Sequence, residues 1–159
     1  MNRTFAISLL LASLAFTVTV LAEKPPKDFQ DLMKSNGSIV DISLGMIRSA
    51  AGGPGAGEGG TASLRAHIRA KDYDGIAKDA QTLKANFTKI EAFWTQRKVE
   101  DAINFSKSAV KAAGDLEAAA KAKDDAAIST AANAAAATCR GCHQSHRAQN
   151  AVDGTFDII

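Results

Sequence analysis

The chain has 159 residues and a formal net charge of +2. That length is one ordinary domain, and so near-neutral a balance gives no reason to propose nucleic acid or an anionic membrane as partner. With two cysteines in the whole chain, a disulfide framework is a weak account of how such a domain is held together.

Residues 1–22 read as a signal peptide. Arg3 is the one basic residue, an apolar stretch runs from Phe5 to Leu21, and the small side chains Val20 and Ala22 suit a cleavage site. The competing reading is an uncleaved anchor, because the run approaches the roughly 17–25 residues of a spanning helix. Several Ser and Thr residues interrupt it, and no basic stop-transfer cluster follows. Cleavage predicts a periplasmic domain over 23–159, with no membrane association afterwards and a formal charge of +1. In an oxidising compartment paired cysteines ordinarily form a disulfide, yet that leaves the adjacent His143 unexplained.

Lys24-Pro25-Pro26-Lys27 is a stiff, non-helical lead-in. Asp28 is then placed to cap a helix to about Ala50. Its Phe29, Leu32, Met33, Val40, Leu44 and Ile47 recur at helical steps, with Asn36 and Gly37 on the same face. Residues 51–60 form a Gly-rich connector. They contain a formal G-x-G-x-x-G, but it follows a helix and no strand pattern occurs anywhere, so a flexible link is the better reading.

The helical pattern resumes at Leu64 and Ile68 and pauses at Asp72-Tyr73-Asp74-Gly75. A second long helix buries Ile76, Ala80, Leu83, Phe87 and Ile90, with Phe93 and Trp94 closing one end of the core. A third runs from about Lys98 to Ala122 on Val99, Ala102, Ile103, Ala109 or Val110, Ala113 and Leu116. Asp124 caps a fourth, alanine-rich helix to about Ala148. Ala70-Lys71-Asp72 matches Ala122-Lys123-Asp124 at an offset of 52, a faint internal repeat. The predicted fold is all-α, an antiparallel four-helix bundle, with a tail over 149–159 whose Phe156, Ile158 and Ile159 can pack back.

The last helix carries Cys139-Arg140-Gly141-Cys142-His143. Thiols at i and i+3 share one helix face and can form thioethers to both vinyl groups of one porphyrin, while His143 ligates the iron. One covalently attached haem c near the C-terminal helix would also add volume to a core built largely of alanine, which fills little space. A thioredoxin-like redox pair normally sits at a βα junction. A zinc site on Cys139, Cys142 and His146 lacks a fourth ligand. His146 reads as a propionate or solvent contact, His67 as a solvated residue, and Arg140 and Arg147 as candidate propionate partners.

A Cys-x-x-Cys-His near the end of a four-helix bundle, after a signal peptide, resembles the class II cytochromes c, the cytochrome c-prime family. The resemblance covers roughly Asp28 to Arg147. Where family members carry an aromatic three residues after the ligand His and then a basic residue, this chain has His146 and Arg147. The connector around 51–70 and the tail are additions.

Asp31-Leu32-Met33-Lys34-Ser35-Asn36-Gly37 resembles the low-spin branch, in which a first-helix Met ligates the iron, and Met33 falls at that position. The basic residue of many gas-binding members is Phe29 here. Met33 lies within about 40° of Val40, Leu44 and Ile47 at 100° per residue, whereas Met46 points some 140° away from it. A Met on an apolar stripe is ordinarily core, and it is the family match that singles out Met33.

The resemblance therefore implies an exported monohaem electron carrier with His143 and Met33 as axial ligands, no enzymatic site, and redox proteins as partners. Family members form homodimers through their first two helices, a geometry the longer connector alters. The alternatives are a five-coordinate gas-binding haem protein, in which Met33 is only core, and a helical disulfide domain without cofactor.

Overall fold

A computed structural model describes residues 22–40 and 63–159. The signal-peptide reading for 1–21, the first helix beyond Val40, Met46 and the Gly-rich connector lie outside the described residues. Within them are α1 (Lys27–Val40), α2 (Leu64–Ala70), α3 (Tyr73–Arg97), α4 (Glu100–Ala122), α5 (Asp125–His146), β1 (Arg147–Gln149) and β2 (Phe156–Ile158). The fold is mostly helical, in keeping with the all-α expectation. Among the described residues, no helix is long and apolar enough to cross a membrane.

The joints between the long helices follow from short-range chemistry. Lys71, Lys98 and Lys123 each end a helix in the left-handed conformation, with φ of 53°, 58° and 55°. Their N–H groups turn back onto the last carbonyls of the helix, as in helix-ending αL caps. Asp72 and Asp124 then start the next helices, one accepting from the Gly75 N–H and the other from the Ala126 and Ala127 N–H groups. The 52-residue repeat is thus one Lys-Asp joint used twice. The copies also meet, since Lys71 Nζ and Tyr73 Oη both donate to Asp125 at 2.5 and 3.0 Å.

Lys98 has no such partner among the described side chains. A non-glycine residue in this conformation costs about 1–2 kcal/mol, while glycine's freedom in the unfolded chain offsets about 0.5–1. Lys98→Gly is expected to stabilise the fold by roughly 0.5–1 kcal/mol, raising Tm by a few degrees in thermal melts. An unchanged or lower Tm would contradict this account of the joint.

Short joints make α3, α4 and α5 antiparallel neighbours, with α4 packed against both of the others. Ile76, Leu83, Leu116 and Ile128 are fully buried. Ala102, Ala109, Ala112, Ala113, Ala119 and Ala120 make up most of the buried face of α4, with Ile103 and Ser106, and such small side chains let the helices approach closely. The first described helix rests on α3: Phe29 packs on Phe93 and edge-on to Trp94, and Asn36 bonds Asn86. This order makes α1 antiparallel to α3.

The tail does pack back, in a form too short to show as a sequence pattern. β1 and β2 make an antiparallel pair with Arg147 opposite Ile158, and Ile158 also bridges Glu23 through two backbone bonds of 3.0 and 2.8 Å. Ile158 is buried, while Phe156 and Ile159 stay exposed, so one of the three tail residues expected to pack does so fully. Phe156 instead lies under the Arg147 guanidinium, 3.3 Å from its ring centroid.

Candidate functional site

Ile128, Ala131 and Ala135 are the buried residues of α5. Continued at helical steps, their stripe runs into Cys139 and Cys142, but burial fades there: both thiols are free and half-covered by protein. The inward face of the helix thus extends past the part the described residues enclose. Gly141 lies between the thiols because the Phe105 ring of α4 comes against it. A Cβ at Gly141 would stand 2.6 Å from Phe105 Cε1, so any larger residue would push that ring away.

Burial raises the Cys139 thiol to about 11 and the Cys142 thiol to about 11, with Cys139 and Asp101 adding to the latter. Both are protonated at neutral pH. A redox-active pair needs the opposite, a thiolate favoured by its surroundings. Among the described residues no group of three or more His, Cys, Asp or Glu is placed to hold a metal ion, and His146 is turned elsewhere.

His143 is half-buried, and that burial, aided by the Arg147 charge, lowers its pKa from the usual histidine value. A neutral imidazole is the form that ligates iron. Arg147 Nη1 lies 3.5 Å from its Nδ1. If the guanidinium donates there, the proton sits on Nε2, so ligation through Nε2 requires the proton to move to Nδ1 and this long contact to open. Arg140 is exposed, and Arg147 is engaged with His143 and Phe156 as described.

Helix register relates Met33 to this turn. Met33 lies between Phe29 and Asn36, whose partners Trp94 and Asn86 bracket Ile90 on α3. Gln81 bonds Glu117 across α3 and α4, which puts Ile90 level with Ser108. Phe105 against Gly141, and Asp101 bonded to His146, put Ser108 level with Thr138 and Cys139. Met33 and the cysteine turn are therefore at one height along the helices. Met33 is partly buried against the same core as Cys139, but α1 packs on α3 and α2, not closely on α5. Register thus puts Met33 and the cysteine turn at one level, with α1 packed chiefly on α3 and α2.

Among the described residues, two buried donors lack an acceptor: Asn36 Nδ2 and Trp94 Nε1. Asn36 is one turn beyond Met33 and uses its oxygen to accept from Asn86 Nδ2 at 2.8 Å. Trp94 has its ring centroid 5.2 Å from that of His146. A porphyrin's two propionates are acceptors of the kind these two donors lack among the described residues.

Two histidines are less solvated than the sequence suggests. His146 is mostly covered rather than a solvent contact: its side chain is 10% exposed, and Asp101 Oδ2 is 2.9 Å from Nε2. His67 is not solvated, since it donates from Nδ1 to Asp79 Oδ2 at 2.8 Å with its side chain 18% exposed. Phe105 and Asp101 were missed altogether. Two grooves of about 600 and 460 Å³ lie elsewhere, one lined by Phe29, Leu32, Lys89 and Phe93 and the other by Trp94, Arg97, Val99 and Ile158. Neither borders the cysteines.

Compared with protein-family models, with curated proteins and with solved structures, the chain matches none.

Proposed function

We propose that this chain is an exported monohaem c-type cytochrome that carries single electrons. In this reading the long helices α1, α3, α4 and α5 form an antiparallel four-helix bundle, with haem c beside α5. Cys139 and Cys142 hold the haem through thioethers, His143 ligates the iron, and Met33 provides the sixth ligand. The observation that carries the reading is the inward stripe of α5. It passes from enclosed Ala135 to half-covered Cys139 and Cys142 and, at the next residue, to an imidazole whose pKa is lowered by burial.

Bound haem would supply a one-electron Fe(III)/Fe(II) couple, and a Met/His ligand pair raises its potential. The protein's own part is to hold the imidazole and thioether in fixed places and to exclude water, which limits rearrangement between redox states. Redox proteins are the partners this function calls for. The proposal includes no substrate or nucleophile and no enzymatic reaction.

One observation favours a second reading. Asn36, 6% exposed and one turn beyond Met33, keeps an amide donor without an acceptor among the described residues. A donor near the sixth position is the kind of group that governs binding of small gases, and a five-coordinate haem with Met33 as core would use it so.

Expression in a host that matures c-type cytochromes tests both readings. The expected product retains haem through denaturing electrophoresis and gives a low-spin ferric spectrum. A high-spin ferric spectrum with covalent haem would favour the gas-binding reading, and a colourless product would sink both.

A further inference from the structure

Helix ends fray unless something ties them, and the proposed haem-attachment turn lies in the last turns of α5. His146, in the final turn, is held from three sides. Its Nε2 is 2.9 Å from Asp101 Oδ2 in the first turn of α4, and its Nδ1 is 3.2 Å from the Ile159 carbonyl in the tail. Its ring lies against Trp94 of α3. Each ring nitrogen therefore faces an oxygen acceptor. Ile159 N–H also reaches the His146 carbonyl at 3.4 Å. The helix then stops, with Arg147 extended at φ −135°.

We infer that Asp101 and His146 are positioning residues for the haem iron: the pair fixes the end of α5, and through it the orientation of His143 and Cys142. The inference rests on the haem reading above. Asp101 is close enough for its charge to act on the Cys142 thiol. His146, one turn beyond His143, is the hydrogen-bonded partner of that carboxylate.

Two variants separate the roles. His146→Phe keeps an aromatic ring against Trp94 but loses both hydrogen bonds and leaves the Asp101 carboxylate without its partner. Asp101→Asn keeps an oxygen that can accept from His146 but removes the charge. Negative charge and solvent access both favour Fe(III), so in the haem-loaded protein His146→Phe is expected to lower the reduction potential and Asp101→Asn to raise it.

Amide hydrogen exchange supplies a second readout that does not need haem. His146→Phe should accelerate exchange across residues 142–149 by roughly tenfold or more, the factor set by about 1.4 kcal/mol of lost local stability, whereas Asp101→Asn should stay near wild type. Potentials that move in the same direction, or not at all, would overturn the positioning role even if exchange changes, because the pair would then be only structural. Unchanged exchange in His146→Phe would overturn it as well. If wild type carries no haem, it is the cytochrome reading that fails, and the exchange measurement alone then decides whether the pair holds the turn.

Discussion

Replacing both Cys139 and Cys142 with serine is expected to abolish covalent haem completely. Serine has nearly the same shape, so the helix should persist, and helical content by circular dichroism is expected to stay close to wild type. What disappears is the sulfur that adds to a vinyl group. Both thiols lie on the inward stripe that begins with Ile128 and Ala135, and burial keeps them protonated. Each single substitution should leave one thioether and hence a haem that survives denaturing electrophoresis. A haem band retained by the double variant would refute the attachment chemistry. Loss of helix alone would show that the cysteines serve the core instead.

The positions of these thiols could be read from the sequence because they depend on one helix and its period. The same holds for the Lys71-Asp72 and Lys123-Asp124 joints, where the cap lies within a few residues of the helix it starts. His146 could not be placed that way. Its bond to Asp101 depends on how α4 and α5 slide past each other, and periodicity fixes a helix face but not its height. Phe105 was missed for a related reason: it lies off the main stripe of α4, and only the missing side chain at Gly141 makes room for it.

A usable signal was nevertheless present. Since Lys123-Asp124 is a tight joint, counting outward from it in both directions brings residues 101–105 opposite 141–146. That count would have flagged Asp101 and Phe105. The tail offered no comparable signal, because three-residue strands are too short for alternation to show and the Glu23 to Ile158 bridge joins residues far apart in sequence.

Met33 stands at the level of the cysteine turn. If it ligates the iron, Met33→Ala should convert a low-spin ferric spectrum to high-spin and open the sixth position to carbon monoxide or cyanide. The potential should fall by an appreciable part of the roughly 0.8 V that axial ligands span, because the thioether favours Fe(II). Stability should change little by comparison: Met33 is only partly buried, so its truncation should cost less than the 2–5 kcal/mol of a fully buried methionine. A large electronic change with a small folding change is the signature of a ligand, and the reverse is the signature of core. If wild type is already high-spin and Met33→Ala leaves the spectrum unchanged, the electron-carrier mechanism fails. The amide of Asn36, one turn away, then becomes the group to replace, and Asn36→Leu would be expected to weaken gas binding.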